Sequence, residues 1–123
     1  MSKVQRFEEL NCWKKSRELV RLVYKISEKG KMKTDFDLKS QFRRAAVSSM
    51  NNIAEGFSRF SQKEFIRFLD ISSSSAGEVK SMLYILEDLE YASTKDLEEL
   101  HLLTDETKKL TLALLKYLVN KNS

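Results

Sequence analysis

The sequence predicts an all-α protein, an antiparallel up-down-up-down four-helix bundle, with residues 1–123 as a single domain. Three observations carry that expectation. The chain has no proline and only three glycines, Gly30, Gly56 and Gly77, so long helices can run without interruption. Apolar residues recur at spacings of three and four in four successive segments, and no segment alternates with the period of two that a strand needs. The connectors between those segments are short, which forces consecutive helices to lie antiparallel.

The first helix is expected from about Asn11 to Glu28, with Leu10, Trp13, Val20, Val23 and Ile26 at helical spacing, Asn11 as N-cap and Gly30 as its stop. Lys31-Met32-Lys33-Thr34 reads as a polar connector. The second helix runs from about Asp35 to Phe57. Leu38, Phe42, Ala45, Ala46, Ile53 and Ala54 form its apolar face, and Asp35 and Asp37 suit the positive end of the helix dipole. The third opens on Ser61-Gln62-Lys63-Glu64, a capping box, and Phe65, Phe68, Ser72, Ala76, Val79, Leu83, Leu86 and Leu89 carry its apolar phase as far as Glu90. The fourth begins near Ser93. Leu97, Leu100, Thr104, Thr107, Thr111, Leu114 and Leu118 follow a heptad-like pattern, and Asn120–Ser123 is expected to fray.

Hydrophobic residues make up 41% of the chain and charged residues 33%, a balance that supports a core and argues against disorder. No apolar run approaches the roughly 20 residues of a membrane span, and no apolar signal region opens the chain, so a cytoplasmic protein without a membrane partner is expected. Cys12 is the only cysteine, which excludes an intramolecular disulfide and suits a small packing residue beside Trp13.

Catalytic chemistry finds no foothold. Glu98-x-x-His101 lies on the fourth helix, but a bundle di-iron site needs two such motifs, and the chain has one histidine. No charge-relay partner for His101 is evident. No enzyme activity, cofactor or metal is therefore expected. Ser72-Ser73-Ser74-Ser75-Ala76-Gly77 sits inside the third helix, where small side chains let another helix approach; ligand hydrogen bonding is the functional alternative.

Two polar patterns remain as candidates. On the second helix, Arg44, Ser48, Asn52, Glu55 and Arg59 recur at spacings of 4, 4, 3 and 4 and form one stripe. It reads either as a solvated face with ion pairs such as Glu55–Arg59 or as an interface stripe, and Gly56 beside it offers backbone access. Charge is the second pattern. Residues 1–67 hold 16 Lys/Arg against 8 Asp/Glu, and residues 68–123 hold 6 against 10, so a basic half precedes an acidic one. Arg43, Arg44, Arg59, Lys63 and Arg67 cluster around the second helix and the following turn, with Phe57 and Phe60 interleaved. Lys14, Arg17 and Arg21 form a second patch on the first helix. A basic half can contact phosphates, and an acidic half can meet a neighbour's basic half in an oligomer. Surplus apolar residues at Val47, Met50, Leu112 and Leu115 also point to subunit contacts.

Four pieces in order resemble the 23S rRNA intervening-sequence protein family, also called the bacterial four-helix bundle protein family. They are Phe7-Glu8-Glu9-Leu10 with Trp13, then Phe42-Arg43-Arg44-Ala45-Ala46-Val47-Ser48, then Asn52-Ile53-Ala54-Glu55-Gly56, and last Glu64-Phe65-Ile66-Arg67-Phe68-Leu69. The resemblance implies a compact antiparallel bundle assembling as a ring-shaped homopentamer. It extends to the accessory variability determinant of diversity-generating retroelements, which implies RNA, a ribonucleoprotein or a reverse transcriptase as partner. Where family members often carry Pro this chain has Met50, so its second helix is expected to run straighter. The function expected is RNA or ribonucleoprotein binding through the basic N-terminal half, with Arg43, Arg44, Arg59, Lys63, Arg67, Lys14, Arg17 and Arg21 at the phosphates and Ser48, Asn52, Glu55 and Gly56 as an interface motif. A protein-binding adaptor is the alternative. Binding is expected to tolerate sequence, since no platform of several aromatics is legible.

Overall fold

Local signals start and stop each helix, and a computed structural model that describes residues 3–121 shows where they act. The four helices are α1 (Asn11–Ser27), α2 (Phe36–Phe57), α3 (Gln62–Asp88) and α4 (Thr94–Lys121), and no strand occurs among the described residues. The expected N-cap of α1 is displaced by one residue. Leu10 holds that position with no side-chain hydrogen bond, and a 3-10 turn, Phe7–Glu9, leads into the helix instead. Asp35 caps α2 by accepting from the Leu38 amide at 3.2 Å, Ser61 caps α3 through the Glu64 amide at 3.2 Å, and Ser93 accepts from the Asp96 amide at 3.1 Å. The Glu64 carboxylate does not close the box expected of it, because both its oxygens take the Arg67 guanidinium, at 3.1 Å each.

Two other boundaries differ from the sequence expectation. The stretch read as a polar connector is a second 3-10 turn, Gly30–Thr34, entered through Gly30 at φ +54°. Its Met32 is fully buried among Leu19, Val23, Ile26 and Phe42, so one apolar side chain anchors an otherwise basic turn. α3 stops at Asp88 instead of reaching Glu90. Glu90 takes φ +55°, the Glu90 amide bonds the Glu87 carbonyl at 3.1 Å, and the Tyr91 amide bonds the Leu86 carbonyl at 2.8 Å. That is a Schellman ending with glutamate in the left-handed position where glycine is usual. Tyr91 then reaches across to Asp35, its hydroxyl 2.9 Å from the carboxylate. α4 continues through Asn120 and Lys121, part of the expected frayed tail; Asn122 and Ser123 lie outside the described residues.

Each helix packs on its neighbours in sequence, and α1 closes the ring against α4. Cross-helix pairs run in opposite residue order, which makes every neighbouring pair antiparallel: Ser48 with Ser75 and Gly56 with Phe68, Lys80 with Asp105 and Gly77 with Lys108, Lys29 with Asp96 and Lys15 with Glu106, Glu28 with Lys39 and Tyr24 with Arg43. α2 runs unbroken through Met50.

The interior holds two apolar clusters. One includes Leu19, Phe42, Leu83, Leu86 and Leu100; the other includes Leu10, Trp13, Ile53, Leu69 and Leu118. Between them each helix contributes a fully buried hydroxyl: Ser16, Ser49, Ser72 and Thr107. Three of these bond to carbonyls of their own helix, Trp13, Ala46 and Leu103, at 2.7–2.8 Å. Ser72 alone crosses, donating to the Ser49 carbonyl of α2 at 2.6 Å. Small hydroxyls that satisfy themselves within a helix cost little to bury and leave room for close helix approach. The serine run of α3 is therefore a packing surface, extended by the Ser48–Ser75 contact of 2.7 Å.

Candidate functional site

The second-helix stripe divides along its length. Ser48 and Asn52 belong to the α2–α3 contact. Asn52 Nδ2 donates to the Ser48 carbonyl at 2.8 Å and to its hydroxyl at 3.0 Å, so the half-buried amide is satisfied inside one helix. Gly56 is buried against Phe65 and Phe68 of α3. Its missing side chain serves packing within the chain, not the backbone access expected of it. Glu55 faces solvent, half exposed, and pairs with Arg59 four residues on at 3.2 Å. The stripe is thus an intramolecular seam with a solvated edge.

The basic residues do not form the single cluster the sequence suggested. Arg43 and Arg44 lie about 20 Å along the α2 axis from the helix end that carries Arg59. Arg43 is engaged on every side: its Nε donates to Ser27 Oγ at 2.8 Å, a terminal nitrogen reaches Glu28 at 2.8 Å, and the guanidinium stacks 4.2 Å over the Tyr24 ring. At the other end Arg59 and Arg67 lie 4.9 and 4.7 Å from the ring centre of buried Phe68, each also holding a carboxylate, Glu55 and Glu64 respectively. The Arg67 hydrogen bonds hold the Glu64 carboxyl below its ordinary range. Phe57 is half-buried edge-to-face on Phe65, at 5.9 Å between centroids, while Phe60 is fully exposed on the turn.

Lys14, Arg17 and Arg21 differ from that group. All three are exposed on one side of α1, and Lys25 continues the row. Among the described residues none of the four is in an ion pair, and Arg17 rests 5.7 Å from the Trp13 ring centre. The carboxylate beside them, Glu18, pairs with Lys15 at 3.5 Å. Lys63 is likewise exposed and, among the described residues, outside any ion pair. Part of the charge asymmetry is consumed inside the bundle, since Lys15 and Lys29 bind Glu106 and Asp96 of α4 at 3.3 and 3.1 Å.

Two residues absent from the sequence reading complete the basic face. Tyr24 of α1 and Phe36 of α2, 42% and 72% exposed, line one open cleft of about 530 Å³ together with Lys39, Arg43, Arg44 and Val47. The available signal was phase: Tyr24 falls outside the Leu19–Val23–Ile26 stripe, and Phe36 stands beside an N-cap.

Other candidates resolve as packing. Cys12 is buried, and burial pushes its thiol up to about 11, away from nucleophilic thiolate chemistry. His101 packs edge-to-face on Tyr84 at 5.3 Å. Met50 and Leu115 pack on the second apolar cluster, whereas Val47 and Leu112 line surface clefts on α2 and α4. No described helix is long and apolar enough to cross a membrane.

The family model for the 23S rRNA-intervening sequence protein matches residues 8–113. A solved crystal structure from Bacteroides thetaiotaomicron, a protein of unknown function from the S23 ribosomal protein family, superposes with a TM-score of 0.77 at 27% identity, covering 85% of this chain and 95% of that one. No curated protein matches the chain.

Proposed function

Because the chain belongs to the 23S rRNA-intervening sequence protein family, we propose that it is a non-enzymatic cytoplasmic bundle that binds RNA or a ribonucleoprotein through the outer surface of α1 and the adjoining part of α2. The observation that carries this reading is the row Lys14, Arg17, Arg21 and Lys25, exposed and free of ion pairs over about 16 Å of helix. Arginines held by carboxylates must surrender those partners before they take a phosphate; these need not. Arg44 and Lys63 supplement the row, while Arg43, Arg59 and Arg67 contribute less because their guanidinium groups are already engaged.

The resemblance implies a pentameric ring, which multiplies a weak patch through multivalency. Tyr84, Ile85, Leu89 and Leu102, exposed on the acidic half, are apolar surface available for subunit contact. The same residues favour the second reading, a protein-binding adaptor without nucleic-acid contact. Mobility shifts with a structured RNA at two salt concentrations separate the two. Binding with a salt slope that falls by about 0.7–0.9 for each cation removed from Lys14, Arg17 and Arg21 supports the RNA reading. Absence of a shift at low salt leaves the adaptor.

A further inference from the structure

We infer that the cleft between α1 and α2 is a base-stacking subsite for single-stranded RNA, with Tyr24 and Phe36 as the aromatic surfaces and Arg44 and Arg21 positioned for the flanking phosphates. The inference rests on the RNA reading above and adds to it a strand class and a mechanism of contact.

Exposed aromatic residues scattered singly need no explanation. Here two, twelve residues apart and on different helices, open into the same cleft of about 530 Å³, which Val47 and three cationic side chains also line. Tyr24 is braced by Arg43, whose guanidinium lies 4.2 Å from the ring centre and is itself fixed by Ser27 and Glu28. Phe36 follows the Asp35 cap directly, so the start of α2 sets its backbone.

Charge selects the occupant. The cleft lining includes Lys39, Arg43 and Arg44 and no carboxylate. Glu28 already holds Lys39 and Arg43, at 2.8 Å each, which makes those two a rigid wall. Arg44 donates to Ser40 Oγ at 2.9 Å and is in no ion pair among the described residues, so it can turn to an anion at small cost. Arg21 and Arg17 lie three and seven residues before Tyr24, on its side of α1, which joins the cleft to the unpaired basic row. Aromatic faces beside a cationic track accept bases that are free of a duplex, because paired bases keep their faces within the stack.

The test compares three fluorescein-labelled ligands by anisotropy: an RNA strand of about a dozen nucleotides, the same strand with abasic positions, and its duplex. The wild-type protein is expected to bind the intact strand about tenfold more tightly than the abasic strand or the duplex. Phe36→Ala should lose most of that margin and Phe36→Tyr should keep it; Phe36 is 72% exposed, so neither change threatens the fold. Equal affinity of the wild type for intact and abasic strands, or no effect of Phe36→Ala, overturns the inference while leaving phosphate contact in place. Failure of all three ligands to bind overturns the RNA reading as well, and an acidic protein segment then becomes the occupant the cleft chemistry fits.

Discussion

A methyl group on Gly56 would stand 2.7 Å from Cβ of Phe68, closer than two carbon atoms can approach without movement. The clash is with the root of the phenylalanine side chain and not its flexible end, so α2 and α3 themselves must part. Gly56→Ala gains about 1 kcal/mol of helix propensity and loses about 1–3 kcal/mol to overpacking. A net destabilisation is expected in urea unfolding. A gain in stability would show that the seam yields at little cost.

Arg43 and Glu55 should behave in opposite ways. Arg43→Met removes hydrogen bonds to Ser27, Glu28 and the Tyr24 carbonyl from a side chain only 21% exposed. The expected loss is about 1–3 kcal/mol. Glu55→Ala breaks one i,i+4 pair whose side chains are 51% and 47% exposed, and should change stability by less than about 0.5 kcal/mol. Thermal melts of the two variants side by side check the contrast.

Glu28 sets a pH dependence. Hydrogen bonds from Lys39 first and Arg43 second hold its carboxyl below the ordinary value of 4.5. A carboxyl with a depressed folded-state value stabilises fully above the unfolded-state value, and that contribution fades as pH falls through the folded-state one. The Tm gap between wild type and Glu28→Gln should therefore be open near neutral pH and close as acid protonates Glu28. A gap that stays unchanged as pH falls through the acid range would rule out this ion pair as its source.

The two kinds of buried hydroxyl predict different outcomes. Ser72 Oγ bridges to the Ser49 carbonyl of the neighbouring helix, so Ser72→Ala should cost about 1 kcal/mol. Thr107 bonds only the Leu103 carbonyl of its own helix, which keeps its intrahelical partner when the hydroxyl is removed. Thr107→Val, nearly equal in shape, should be neutral or stabilising by denaturant midpoint.

Glu90 occupies a left-handed backbone position at φ +55°. A side chain there costs roughly 1 kcal/mol that glycine avoids. Glu90→Gly should raise the melting temperature, by an amount corresponding to about 0.5–1 kcal/mol. A fall in melting temperature would mean that the Glu90 side chain makes a stabilising contribution of its own.

The helix count, the approximate spans and the cap at Ser61 were legible because they depend on neighbours within a turn of the chain. Periodicity of three and four and an oxygen one turn before an amide are local facts. The end of α3 was not legible, since Glu90 carries no glycine signal and its conformation comes with a backbone bond from Tyr91 to Leu86 while the Tyr91 ring is tied to Asp35 on another helix. Met32 was hidden for the same reason: its burial depends on helices that precede and follow the turn.

At the candidate site the sequence by itself determined which residues were basic and that Lys14, Arg17 and Arg21 share a side of α1, because helical phase orders them. It could not determine which arginines remain available. Arg43 is captured by Ser27 and Glu28, which lie 16 and 15 residues away, and Phe68 gathers Arg59 from the turn after α2 with Arg67 from its own helix. Nor could it bring Tyr24 and Phe36 into one cleft. Pairing of charges and sharing of a cleft are properties of distance in space, and only the antiparallel packing of α2 on α1 and on α3 decides which side chains distant in sequence become neighbours.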